Sequence, residues 1–350
     1  MAGIPPFSAD VPMTATSPVS AHPGFSVREM TDDDWPLVQA GFAHSYMDCH
    51  APTTWDWRFQ RHLPAAQGWR GWLAQATEPG QGPDTVAWVA AGVHAGWLRH
   101  RPHTILLPRD NYSHPQWRSG GKRSPYVQVE TAFHAHQTGF AALSLGFGLD
   151  RRIRLAFLSG IAQPFEGGQW MQAPVSARTP HQGCSVQLGL TCFDTPEWDA
   201  LWLQRREKVG WSLVRDQAFL SWRFDPRQGR TYHRLAIRSA TSPVPLGYLV
   251  WQLRSPTEAV LVDSILPTAP QQLRDTWGLV STWLHRQGVR QALTFVARGC
   301  PEWSGLHALG WAPCPAPLPT LPGFRLYGNE HSARDVNDHY AFTLADSDLF

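Results

Sequence analysis

The chain has 350 residues, 43% apolar and 17% charged, which suits a globular protein with room for two domains and excludes a disordered one. Its formal charge of +2 gives no general attraction to nucleic acid or anionic lipid, so any anion must be held at a local site. No apolar run approaches the ~18–20 residues of a membrane span, and five scattered cysteines without a C-x-x-C pair make neither a disulfide framework nor a thiol-only zinc site.

Residues 1–24 are rich in Pro, Ser and Ala, with no basic segment or apolar core; they read as a flexible leader and not a signal peptide, which makes the cytoplasm the default location. A strand follows at Phe25 to Met30, then an acidic helix start at Thr31 to Asp34, where carboxylates favour the N-terminal dipole. The triplet Trp57-Arg58-Phe59 leads into "GWRGWLAQATEPGQGPDTVAWVAAGVHA", a strand–turn–strand hairpin. A strand at Thr104 to Leu107 precedes a basic loop, the helix "SPYVQVETAFHAHQ" with Tyr126, Val129 and Phe133 at i, i+3, i+7, and the strand "FAALSLGFG".

The second half repeats this plan. "GCSVQLGLTCFDTPEWDALWLQ" is a strand, an Asp/Thr cap, a first-turn Pro and a helix, and Trp222-Arg223-Phe224 repeats the triplet. "TYHRLAIRSATSPVPLGYLVWQL" is again a hairpin, and "RDTWGLVSTWLHRQ" places Trp277, Val280 and Leu284 at the same helical spacing before "VRQALTFVA". The order strand–helix–triplet–strand–strand–strand–helix–strand–helix is written twice, which reads as a duplication; two unrelated α/β domains sharing a triplet is the plainer alternative. The triplet's rings read as core under a sheet, with the Arg between them bonding a carboxylate or carbonyl.

The stretch with chemical specificity is Ser113 to Phe133. Two glycines ahead of a helix N-terminus let the backbone approach a ligand with its N–H groups, and Arg118, Lys122 and Arg123 add charge. The product is an anion site suited to a pyrophosphate, or else a basic glycine turn with no ligand.

Arg118-x-x-Gly121-x-Arg123, with His114-Pro115 before it and an amphipathic helix after it, resembles the acyl-CoA loop of the GNAT acetyltransferase superfamily, Gln/Arg-x-x-Gly-x-Gly/Ala. The strand order is similar too, as are "RLAFLSGI" at 154–161 and "GLHALGW" at 305–311 to the helix that closes the acyl-CoA cleft; "HYAFTLADSDLF" would add a last strand beside "GFRLYG". The resemblance implies an α+β fold of two consecutive GNAT-like domains, at 25–176 and 182–345, each a mixed, mostly antiparallel sheet flanked by helices. It implies that Arg118, Ser119, Gly120, Gly121, Lys122, Arg123 and Ser124 hold the pyrophosphate of acetyl-CoA, with no metal. An amine of a small molecule or amino sugar would attack the thioester directly, so no nucleophilic Cys is required.

The sequence departs from the pattern in three places. Arg123 stands where the family has Gly or Ala. Ala156 and Leu306 stand where a Tyr often protonates the leaving thiolate. "LPTAPQQLRD", the second half's counterpart of the loop, has no glycine and little basic charge, so one CoA site is expected, in the first half. The candidate base is Asp110, for which a salt bridge or turn role is the alternative, and the candidate acid is Tyr112. His134 and His136 point to different faces of their helix, His100 and His103 read as solvated, and Asp346 and Asp348 as exposed acids near a chain end. Two other functions stand beside the acetyltransferase: a non-catalytic acyl-CoA binder or scaffold, and a Fem-like aminoacyl transferase, which the near-neutral charge disfavours.

Overall fold

The capping expected at Thr31 is where the first helix begins: Thr31 and Asp34 form a capping box, and the Asp34 carboxylate also grips Arg28 at 2.6 Å. The computed structural model describes residues 21–22, 24–46, 52–59, 68–77, 85–118, 121–177 and 184–347. Most of the expected leader therefore lies outside the described residues.

The first half runs β1 (Ala21–His22), β2 (Phe25–Glu29), α1 (Trp35–Tyr46), α2 (Pro52–Arg58), β3 (Trp69–Ala76), β4 (Thr85–Leu98), β5 (Arg101–Ser113), α3 (Pro125–Ala135), β6 (Leu143–Leu149), α4 (Asp150–Leu158), β7 (Gln163–Pro164) and β8 (Gly168–Pro174). The second half runs β9 (Val186–Leu190), α5 (Glu197–Arg206), β10 (Trp211–Leu213), α6 (Gln217–Arg223), β11 (His233–Ser239), β12 (Ser242–Ser255), β13 (Glu258–Ile265) and α7 (Pro270–Arg286). It ends with β14 (Gln291–Ala297), α8 (Glu302–Ala308), β15 (Ala312–Pro313), β16 (Thr320–Leu326) and α9 (Ala333–His339). Apart from β1, β10 and α9, the two halves follow the same order, as the duplication requires. No helix of the described residues is long and apolar enough to cross a membrane.

The halves exchange strands. One sheet has the order β1-β2-β3-β4-β5-β6-β16-β7, with β10 added on β4; the other has the order β15-β8-β14-β13-β12-β11-β9. Thus β8, from the first half of the sequence, pairs antiparallel with β14, while β16, from the second, pairs antiparallel with β6. In each sheet one neighbouring pair is parallel, β5 with β6 and β13 with β14.

The two triplets meet at the junction. The Trp57 indole N–H donates to the Trp222 carbonyl at 3.0 Å, and the Trp222 indole N–H donates to the Trp57 carbonyl at 2.7 Å. This reciprocal pair joins equivalent positions of the two repeats, as a local two-fold relation demands. Phe59 and Phe224 are buried, as expected of core rings. The arginines also bond as expected, but to different partners: Arg58 pairs with the Asp110 carboxylate at 3.0 Å, and Arg223 donates to the carbonyls of Ala345 and Ser347.

Two expectations are corrected. "GFRLYG" does not pair with the closing segment; it forms β16, between β6 and β7 of the first sheet. The closing segment makes an isolated bridge from Tyr340 to Trp211 and a short 3-10 turn at Leu344–Asp346. Asp346 is fully buried against Arg215 at 2.5 Å and is not a solvated acid, whereas Asp348 lies outside the described residues.

Replacing Trp57 or Trp222 by Phe keeps the apolar ring and removes one indole donor, stranding the opposite carbonyl. Each single change should cost about 0.5–1.5 kcal/mol in urea unfolding. Two variants as stable as wild type would mean that these bonds do not hold the halves together.

Candidate functional site

β5 and β6 are paired only at Ile105–Leu143 and Leu106–Ser144. Beyond that point they diverge, and a cavity of about 340 Å³ opens through the sheet. Alternation along β6 sets its two sides. Leu145 and Phe147 join the core shared with the second half, while Ser144, Gly146 and Gly148 face the helices α3 and α4. Gly146 lies directly opposite Gly323 of β16, and a Cβ at Gly146 would meet nothing within 4 Å. Its missing side chain is part of what leaves the slot open.

α3 supplies one wall. Val129 and Phe133 turn into the core, and Tyr126, Glu130 and His134 line the cavity one turn apart. Burial pushes the Glu130 carboxyl up to about 7, against the pull of Arg325 on β16. Burial, helped by the same guanidinium, lowers His134 to about 3 and keeps its ring neutral. His134 Nδ1 lies 2.7 Å from the Tyr327 hydroxyl, which donates to Ser144 Oγ at 3.1 Å. With that hydroxyl proton committed, the neutral ring donates through Nδ1.

The opposite side, toward α1 and α2, is shaped by a β-bulge. The register of β4 and β5 shifts between Trp88 and Ala90, and Asp110 takes a left-handed φ of 47°. Asn111 Oδ1 accepts the Ala90 N–H at 3.2 Å in place of a ladder partner. Asp110 lines the cavity with Arg58 behind it, and Arg109 lines it with its guanidinium 4.8 Å from the Trp222 ring centre. Burial, with Arg109, Arg223 and Arg215 nearby, holds the neighbouring His94 neutral, well below its ordinary pKa. Phe42 of α1 closes this end, edge-on to Trp55 at 5.1 Å.

The basic loop stands at the N-terminus of α3. Gly121 has a φ of 55°, which favours glycine, and opens a 3-10 turn to Arg123. Ser124 is the N-cap, its Oγ accepting from Val127 N at 3.3 Å and its own N–H donating to Gly121 O at 3.1 Å. The N–H groups of Ser124 in the loop and of Val127 in the first turn of α3 are therefore engaged within the protein. Arg118 is anchored by Nε to Ser113 O, and Arg118 and Arg123 are exposed. Ser119, Gly120 and the Lys122 side chain lie outside the described residues.

The equivalent gap in the second half has a different fate. β13 and β14 pair from Glu258–Gln291 to Val260–Leu293 and then part, but the residues beyond enclose only about 10 Å³. The chain's own closing segment bridges the gap: Thr343 Oγ1 donates to Asp263 on β13 at 2.8 Å, and the Phe342 ring packs 5.7 Å from Phe295 on β14. Arg215 clamps it, bonding Asp263, Thr343 and Asp346 together.

No protein-family model matches the chain, and no curated protein does. Solved structures do match. A GCN5-related N-acetyltransferase from Anabaena variabilis superposes with a TM-score of 0.63 at 10% identity, covering 87% of this chain and 73% of its own. A tandem GNAT protein from the clavulanic acid biosynthesis pathway superposes with a TM-score of 0.50 at 14% identity, over 88% of this chain and 100% of its own. The chain has the tandem GNAT fold. The N-myristoyltransferase of Saccharomyces cerevisiae, solved with bound myristoyl-CoA, is similar at a TM-score of 0.54 and 11% identity, over 91% of this chain and 87% of its own.

Within this GNAT fold the residues singled out in the sequence fall in three places. The loop residues cap α3, Asp110 faces the cavity, and Tyr112 is fully buried in the aromatic core, stacked 4.3 Å from Trp88, away from the cavity lining. Ala156 lines the cavity where the resemblance expects a Tyr. Sequence reasoning missed Glu130, Gly146 and Arg325. The signal for Glu130 was weak but present: two ionisable residues four apart, beside an apolar helical stripe.

Glu130 also affects stability. Its folded-state pKa lies above the unfolded one, so its contribution is lost as pH rises from about 4.5 to 7. Glu130→Gln should therefore match wild type at pH 4 and be more stable at pH 8 by about 1–3 kcal/mol in thermal or urea unfolding. Equal stability at both pH values would contradict the burial of an ionising carboxyl here.

Proposed function

We propose that the chain transfers an acyl group from coenzyme A to an amine, at one site in its first half. The observation that carries this reading is the through-sheet cavity between β5 and β6, with a basic, glycine-containing helix start at its head. The pyrophosphate would lie against Arg118 to Ser124, and the pantetheine arm would follow the slot along α3. The thioester would reach the Asp110 bulge, and the acceptor would enter beside Phe42 and Arg109. The amine nitrogen attacks the thioester carbon, the C–S bond breaks, and the amine proton passes to Asp110 directly or through one water while the thiolate leaves. We take acetyl-CoA as the donor and a small-molecule amine as the acceptor. The second half then shapes the acceptor side, because its own gap is occupied by residues 340–346.

Ala156 favours a second reading, a non-catalytic acyl-CoA binder, since no hydroxyl stands there to protonate the thiolate.

Melting with and without acetyl-CoA tests both. Ligand at 100 times its Kd should stabilise wild type by about 2.7 kcal/mol. Gly146→Val puts a branched side chain into the slot from a position where a Cβ meets nothing within 4 Å, so it should melt like wild type unliganded and gain nothing from ligand. No shift for wild type at millimolar acetyl-CoA overturns both readings. A shift without free CoA release against a panel of amines leaves the binder.

A further inference from the structure

Glu130 stands in the stretch of the slot that a pantetheine arm must cross between the α3 loop and the Asp110 bulge. Arg325 of β16 faces it, Tyr126 and His134 flank it on α3, and Tyr327 lies behind His134. Arg109 and Asp110 line the far side of the sheet. No hydrogen bond to its carboxyl is seen among the described residues.

The arm that would fill this slot is a string of uncharged amides. Shut in beside it, an ionised carboxylate would lose water and feel the phosphates held at the head of α3, with Arg325 the cation facing it. A protonated carboxyl instead has an O–H to give to an amide carbonyl. We infer that Glu130 meets the donor's arm as a neutral acid, hydrogen-bonded to an amide carbonyl, so that capturing the acyl-CoA takes up a proton at this residue. The inference rests on the acyl-CoA reading above. Glu130 is a positioning residue here and takes no part in breaking the thioester.

Burial already pushes this carboxyl up to about 7, so the uptake should appear at mildly alkaline pH. Affinity should fall as pH rises above 7, at most about tenfold per unit for one proton.

The test is calorimetric titration of the full chain with acetyl-CoA at pH 6, 7 and 8.5, each in two buffers of different ionisation enthalpy. Wild type should weaken several-fold from pH 7 to 8.5 and take up close to one proton per ligand at the upper end. Glu130→Gln, a permanent neutral donor of the same shape, should bind with a flatter profile and without that uptake. The ligand's own phosphate titration is common to both and cancels. Arg325→Met, which removes the cation holding the carboxyl down, should shift the weakening to higher pH. Equal slopes and equal proton counts in wild type and Glu130→Gln overturn the inference and leave the acyl-CoA reading intact. Absence of wild-type binding at every pH overturns both.

Discussion

The exchange of β8 and β16 is the constraint on which the rest of the molecule depends. A parallel pair that splays apart exposes its backbone and leaves the last strand of each half without a sheet edge to complete. Each half closes the other's sheet. β16 thereby becomes a wall of the cavity, bringing Gly323 opposite Gly146 and setting Arg325 in the same lining as Glu130. The first half's slot is thus partly made of second-half residues, and the reciprocal tryptophan bonds at the triplets hold the two in register.

The same divergence has opposite outcomes in the two sheets. Between β5 and β6, small residues on the helix-facing side and a bulge at Asp110 leave room for a long, thin ligand. Between β13 and β14, the closing segment fills the corresponding space, and Arg215 satisfies three of its neighbours at once. A buried cation with that many partners is costly to expose, since removing any one strands the others. The duplication therefore supplied one fold twice and one slot once, the second gap having been turned into core.

Local pattern made much of this legible. Helices with apolar stripes, capped starts and Pro/Gly turns gave the element order of both halves, and the glycines and arginines near position 120 marked the head of α3. What pattern could not reveal was pairing between distant strands. β16 and the closing segment both look like final strands of the second domain, and nothing local distinguishes one that stays from one that leaves. Tyr112 shows the same limit: its neighbour Asp110 faces the cavity, but the bulge reverses the alternation that would place both. Glu130 was hidden because a lone carboxylate on a helix ordinarily means solvent, and its burial depends on a strand half the chain away.

β6 finds its antiparallel partner only when Thr320–Leu326 arrives. During synthesis the first sheet must therefore wait, its edge bare, until most of the second half has left the ribosome. Contacts this distant in sequence fold slowly, and an unpaired edge invites the wrong neighbour in the meantime. Nascent copies on one message would carry the same open edge and the same missing strand, so trading β16 between polypeptides is the natural error of this topology.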